Sequence, residues 1–110
     1  MVLTTEDGQL LRAVARLIHQ VGHWSPARWA QPATAGGRTR AEVLHALAQR
    51  LADLEAEVTG RPIRPVPRLD NDLALADQVR VMVLDLLVAD AEPPVLAAAL
   101  DAVAEARAHL

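Results

Sequence analysis

The sequence contains no cysteine, which excludes a disulfide framework, thiolate metal sites and a cysteine nucleophile. Lysine and tyrosine are also absent, and the only serine, Ser25, stands before a proline, where it suits a helix cap. Covalent catalysis therefore lacks its usual nucleophiles. The composition disfavours an enzyme, and we expect no catalytic residue, no cofactor and no metal.

Aromatic residues are scarce, since Trp24 and Trp29 are the only two. Hydrophobic residues make up 52% of the 110 residues, enough for one globular domain spanning residues 1–110. Its core must consist of leucine, valine, isoleucine and alanine. All eleven basic residues are arginine, which we interpret as bacterial-like, GC-rich coding bias rather than function.

No stretch suits secretion or membrane insertion. The N-terminal residues, MVLTTEDGQL, lack the basic-then-apolar pattern of a signal peptide. The most hydrophobic run, residues 73–89, is interrupted by Asp77, Arg80 and Asp85, which argues against a membrane span. We therefore expect a cytoplasmic protein with no membrane partner.

Charge is unevenly placed along the chain. Residues 1–69 carry nine arginines and six acidic residues, whereas residues 70–110 carry two arginines and eight acidic residues. This asymmetry favours contact between the two halves, within one chain or between chains. An alternative interpretation places the acids on solvated helix faces.

Two helices are marked by local signals. The first is predicted from about Thr5 to Val21, with Thr4 as its cap and Gly22 as a C-terminal glycine cap. The other helix is predicted to begin at a capping box, Thr39-x-x-Glu42, and to end at Gly60. Its seam repeats at 3-4-3-4 spacing, typical of a bundle core: Leu44, Leu47, Leu51, Leu54 and Val58.

Between these helices, Ser25 and Pro26 predict a short helical turn, and residues 32–37 predict a flexible loop. Trp24 and Trp29 flank that turn. We favour a packing role in which they plug one end of the bundle, with each indole N–H bonded to a carbonyl or water. The functional interpretation is an apolar ligand pocket between them.

Residues 60–72 predict an extended strap across the bundle, because prolines at 62, 65 and 67 exclude a helix. Ile63, Val66 and Leu69 are expected to pin the strap. Its three arginines raise the question of nucleic acid, but no aromatic, lysine or basic helix accompanies them. We expect no nucleic-acid partner; a Pro-rich ligand for an SH3-like domain is the less favoured alternative.

Residues 73–89 predict a helix with two apolar stripes that point in nearly opposite directions. The first stripe is Leu75, Val79, Met82 and Leu86. The second stripe is Asp77, Val81, Leu84 and Val88. The first should face the core. The second either completes the core under the strap or meets another chain.

A short link then leads to a last helix that begins at Pro93, which predicts an antiparallel hairpin. The expected fold is all-α: a small four-helix bundle with a short extra helical turn and an extended Pro-rich connection.

Candidate catalytic and metal sites are weak. His19 and His23 have a spacing that can bind one metal, but no third ligand is near. Asp77 and Asp85 are roughly 80° apart around the helix, too far for a carboxylate pair, and Asp77 is better explained by an ion pair with Arg80 one turn on. Glu42-x-x-His45, a di-iron motif, occurs once, and a half-buried, hydrogen-bonded histidine is the favoured interpretation of its imidazole.

Two function hypotheses follow. The leading one is a non-enzymatic protein–protein interaction or regulatory module, homodimeric through the helix of residues 73–89. Its interaction residues would be Asp77, Arg80, Val81, Leu84 and Val88. The alternative is a small-ligand or anion-binding helical domain. Its candidate residues are the face of Arg12, Arg16 and His19, or the end formed by Trp24 and Trp29.

Overall fold

The computed structural model describes residues 3–34 and 36–110. Met1, Val2 and Ala35, which belong to the predicted N-terminal segment and the predicted loop, lie outside the described residues. The helices are α1 (Thr5–Val21), α2 (Pro26–Trp29), α3 (Arg40–Thr59), α4 (Leu75–Val88) and α5 (Pro93–His109). The all-α prediction is confirmed. Among the described helices, none combines the length and apolarity that a membrane span requires.

Local caps define the start of α1 and both ends of α3, as predicted. The Thr4 hydroxyl accepts a hydrogen bond from the Asp7 N–H, while the Asp7 carboxylate accepts one from the Thr4 N–H. Thr39 and Glu42 repeat this box at the start of α3. Gly60 ends α3 with φ 72°, a left-handed conformation that costs glycine little.

Gly22 does not form the predicted left-handed cap, because its φ is −63°. A Cβ at this position would lie 3.0 Å from the Ile18 carbonyl oxygen. Glycine at the end of α1 therefore avoids a tight contact with this carbonyl, and its backbone conformation is open to other residues.

The capping box makes α3 sensitive to acid. Hydrogen bonds from the Thr39 backbone and side chain, aided by Arg38 and Arg68, hold the pKa of Glu42 below its ordinary value of 4.5. A carboxyl whose pKa is lowered in the folded state stabilises the fold above pH 4.5 and loses that contribution as the pH falls further.

We therefore expect Glu42→Gln to weaken the acid dependence of stability below pH 4.5, because glutamine does not titrate. Urea unfolding followed by circular dichroism at several acidic pH values measures this. Glu57→Gln, an exposed carboxylate near the other end of α3, is the control and should leave the pH profile unchanged. Identical profiles for the wild type and Glu42→Gln would contradict the capping argument.

The four long helices form a ring in the order α1, α4, α3, α5. Each packs against its two neighbours in this ring, so that α1 lies diagonally opposite α3 and α4 lies opposite α5. The predicted seam of α3 faces the core, with Leu44, Leu47, Leu51 and Leu54 buried and Val58 half-buried.

The strap, residues 60–71, returns along α3 from its C-terminal end. Gln49 holds it in both directions: its side-chain oxygen accepts from the Val66 N–H (2.7 Å), and its amide nitrogen donates to the Arg64 carbonyl (3.0 Å). His45, half-buried as predicted, donates from Nε2 to the Val66 carbonyl (3.0 Å). These bonds satisfy backbone groups that the proline-rich segment cannot pair with a neighbouring strand.

Val66 is the one predicted pin that is buried; Ile63 and Leu69 are 69% and 43% exposed. Their prediction as pins is wrong, because side chains of an extended segment alternate in direction and Val66 alone points at the bundle. The strap is fixed mainly by hydrogen bonds to α3 and α4 rather than by apolar anchors.

Because the strap runs back along α3, α3 and α4 are parallel neighbours. Gln78, near the start of α4, donates to the Pro67 carbonyl (3.0 Å). At the other end, Ala89 and Val58 line one cleft where α4 and α3 finish. The helix of residues 73–89 is slightly shorter than predicted, since residues 72–74 form a 3-10 turn and the α-helix begins at Leu75.

The link from α4 to α5 reverses the chain at Asp90, whose φ is 57°. The helix direction therefore changes as predicted, and α5 ends beside the start of α3, where Arg40 donates to the Leu110 carbonyl (3.3 Å). α4 and α5 are antiparallel, as the predicted hairpin requires, but they face each other across the core and each packs on α1 and α3.

The predicted loop of residues 32–37 is tied down on both sides of Ala35. Pro32 and Thr39 form an antiparallel bridge. The Thr34 N–H and hydroxyl both donate to the His109 carbonyl, at 2.8 and 3.0 Å. The described part of this connection is thus fastened to the end of α5.

Candidate functional site

The most prominent surface feature is the outer face of α4. Leu75, Val79 and Leu86 are buried and Met82 is half-buried, as the first stripe predicts. The opposite side is exposed: Leu73 is 50%, Val81 50%, Leu84 42% and Val88 73% accessible. The strap lies on α3 and does not cover this face. We call these four exposed residues the α4 face.

Two charged side chains, Asp77 and Arg80, accompany the α4 face, and both are exposed. The predicted ion pair between them is not formed: in residues 3–34 and 36–110 neither side chain has a salt bridge or a hydrogen bond. Their charges are therefore available to a partner.

Beside the α4 face, an open groove of about 470 Å³ lies between α1 and α4. Apolar side chains from both helices line most of it, namely Leu11, Val14, Ala15, Ile18, Val83 and Leu84. His19 and Arg80 supply its polar lining. The groove thus joins the predicted interaction residue Leu84 to the predicted anion residue His19.

The predicted anion face of α1 is divided by the structure. Arg12 folds back over Gly8, with its Nη1 3.3 Å from the position of a Cβ there. Arg16 and His19 instead line a second open groove, of about 410 Å³, between α1 and α5. Arg107 of α5 joins them there.

Arg107 is the site residue that sequence reasoning missed. It lies in the last turn of α5, and its Nε donates to the Gln20 side-chain oxygen of α1 at 3.1 Å. The one available signal was composition: Arg80 and Arg107 are the only basic residues, histidine aside, in the acidic segment 70–110. Both line grooves beside His19.

The two histidines of α1 pack edge to face at 6.0 Å between ring centroids, and both are exposed. In the part of the chain that the structure describes, no group of three His, Asp or Glu side chains is placed to hold a metal. Glu42 and His45, the possible di-iron motif, are engaged in the α3 cap and the strap.

Trp24 and Trp29 are both buried, with ring centroids 5.0 Å apart and planes at 66°. This contact leaves no ligand-sized space between them and agrees with the packing role that we favoured. Arg28 and Arg40 cover the Trp24 ring at 4.8 and 5.2 Å. Among the described residues, no protein group accepts a hydrogen bond from the buried indole N–H of Trp29, so the predicted bond to a carbonyl is not found there.

No protein-family model, no curated protein and no solved structure matches this chain.

Proposed function

We propose that this protein is a non-enzymatic interaction or regulatory module of the cytoplasm that forms a homodimer through α4. A single observation carries the proposal, the exposed α4 face with its two unpaired charges. Contiguous apolar patches on small proteins commonly mark contact sites, because burying such surface is favourable.

The order of residues along α4 suits a second, antiparallel copy. If a two-fold axis passes between Asp77 and Arg80, each Asp77 faces the Arg80 of the other copy. The same axis sets Leu73 opposite Leu84, because both pairs are centred on the same point of the chain. A two-fold interface makes each contact twice, so α4 and the 3-10 turn before it give the dimer two ion pairs and two apolar contacts.

The contact face must extend beyond α4. A stable interface buries roughly 800 Å² on each partner. The exposed side of α4, a 14-residue helix about 21 Å long, is too small to supply this area alone. Exposed Leu69 extends the surface before the helix, and half-buried Leu11 and Ile18 extend it across the α1–α4 groove. These neighbours offer the additional apolar area that a dimer needs.

We propose protein rather than nucleic acid as the partner. The exposed face of α5 carries Asp101 and Glu105, which would repel phosphates. The α4 face carries one charge of each sign, which suits a copy of itself better than a uniformly charged polymer.

We expect light scattering at micromolar concentration to give twice the chain mass of 11.8 kDa. A monomer under these conditions would falsify the homodimer. Reversal of single charges then tests whether Asp77 of one copy faces Arg80 of the other. Asp77→Arg and Arg80→Asp should each be monomeric, because each sets like charges against each other in its own dimer.

Mixing these two variants is the matching experiment. The Asp77→Arg chain carries two arginines at these positions and the Arg80→Asp chain two aspartates, so the mixture should form a heterodimer. Asp101→Arg introduced into the Arg80→Asp chain is the control: it restores the net charge of the chain, but Asp101 lies on α5, away from the α4 face, so this double variant should stay monomeric. Restoration of dimer mass in the control would contradict the proposed register.

A further inference from the structure

The C-terminal half of α1 is surrounded by positive charge. Arg16, His19 and Arg107 line the α1–α5 groove, and Arg80 joins His19 in the α1–α4 groove. No carboxylate lines either groove, although the chain carries a net charge of −3. The grooves therefore form a local positive region on an acidic protein.

Arg107 is held in a fixed orientation. Its Nε donates to the Gln20 side-chain oxygen at 3.1 Å, and the residue is half-buried. Its two terminal nitrogens have no partner in the described parts of the chain. A guanidinium fixed through Nε presents these two nitrogens as a fork that matches two oxygens of one anion.

Helix dipoles explain only part of this arrangement. Cations at the C-terminal ends of α1 and α5 would be favourable, and His19 and Arg107 occupy last turns. Arg16 lies outside the last turn of α1, however, and Arg107 bonds to a side chain of another helix rather than to a terminal carbonyl. Residues of two helices, Arg16 and His19 of α1 and Arg107 of α5, thus line one groove, and the dipoles alone do not explain this placement.

We infer that the α1–α5 groove binds the phosphate group of a phosphorylated ligand. Two guanidinium groups and an imidazole suit a doubly charged oxyanion better than a single carboxylate. The groove volume of about 410 Å³ exceeds what one phosphate needs, which leaves room for the organic part of the ligand over Ala15. The site contains no residue of the α4 face, although it shares Ala15 and His19 with the α1–α4 groove.

Titration with inorganic phosphate, at constant ionic strength and followed by amide NMR shifts, tests this inference. We expect saturating shifts around Arg16, His19 and Arg107, with a Kd of about 1 mM for the isolated group. Arg107→Gln and Arg16→Gln should each weaken binding about tenfold, because each removes one charge-assisted contact.

Arg12→Gln is the matched control, since it removes the same charge from the same helix outside the groove. If Arg12→Gln weakened phosphate binding as much as the groove variants, the binding would reflect non-specific attraction to positive charge, and the proposed site would be overturned. Shifts that do not saturate, or that lie elsewhere, would overturn it as well. Binding that is retained in a Leu84→Asp monomer would show that the site and the dimer are separate properties.

Two further probes distinguish the source of the phosphate. Glycerol phosphate that binds more tightly than inorganic phosphate indicates a soluble phosphomonoester. Sedimentation with phosphatidic acid vesicles, but not with phosphatidylcholine vesicles, indicates a lipid headgroup. In either case Arg107→Gln must abolish the preference, and its retention would contradict the inference.

Discussion

Leu84→Asp is expected to convert the proposed dimer into a folded monomer. In the antiparallel arrangement Leu84 faces Leu73 of the second copy, so the variant would bury a carboxylate against an apolar side chain without a counter-ion. We expect the dimer Kd to rise at least about 100-fold, or roughly 3 kcal/mol. Light scattering measures the mass, and circular dichroism checks that the helices remain, because Leu84 is 42% exposed in the monomer.

Ile63→Asp is the matched control for this result. Ile63 is also a large exposed apolar residue, but it lies on the strap, away from α4. Its replacement should leave the dimer mass unchanged. A Leu84→Asp protein that remains dimeric would show that the α4 face is not the interface.

The second large effect is expected for stability. Trp29 is 1% exposed and packs on Trp24, so Trp29→Ala would leave a cavity between α2 and the bundle. We expect a loss of about 3–5 kcal/mol, a large share of the stability of a domain this size. Urea unfolding in the Leu84→Asp background measures the loss without a contribution from dimer dissociation.

Trp29→Phe separates the contribution of the buried ring from that of the indole N–H. Phenylalanine keeps most of the buried apolar ring and removes the indole N–H. Because the loss of stability depends on the volume of the cavity, this variant should lose much less stability than Trp29→Ala. A small effect of Trp29→Ala, below about 1 kcal/mol, would contradict the packing role.

Helix boundaries were predictable because the signals are local. The capping boxes at Thr4 and Thr39 and the left-handed Gly60 involve residues within three or four positions of each other. The buried stripes of α3 and α4 followed from periodicity in the same way. Such short-range physics can be read from a sequence without knowledge of the neighbouring helices.

The helix ring was not predictable by the same means. The place of the strap depends on Gln49 and His45, which bond to backbone groups 15 to 21 residues away and carry no marker for that role. The short α4–α5 link indicated an antiparallel pair, but not that α4 and α5 would lie opposite each other, each packed on α1 and α3.

The two candidate surfaces also differ in how far each could be predicted from the sequence. The α4 face could be read from the spacing of Val81, Leu84 and Val88, and what the sequence left open was whether another part of the chain covered it. The anion groove could be read only in part, because Arg107 meets Gln20 across 87 positions of sequence. The helical spacing places Arg12 on the same side of α1 as Arg16 and His19, yet its side chain folds away over Gly8.

The strap divides the chain into two fragments that interlock. Every packed pair among the long helices joins a helix before the strap, α1 or α3, to one after it, α4 or α5. Neither fragment therefore has a core of its own, and neither half can unfold while the other keeps its structure. The acids of residues 70–110 are mostly exposed on the outer faces of the second fragment. The assembly of the domain from its two fragments therefore depends on apolar packing, which neither fragment completes alone.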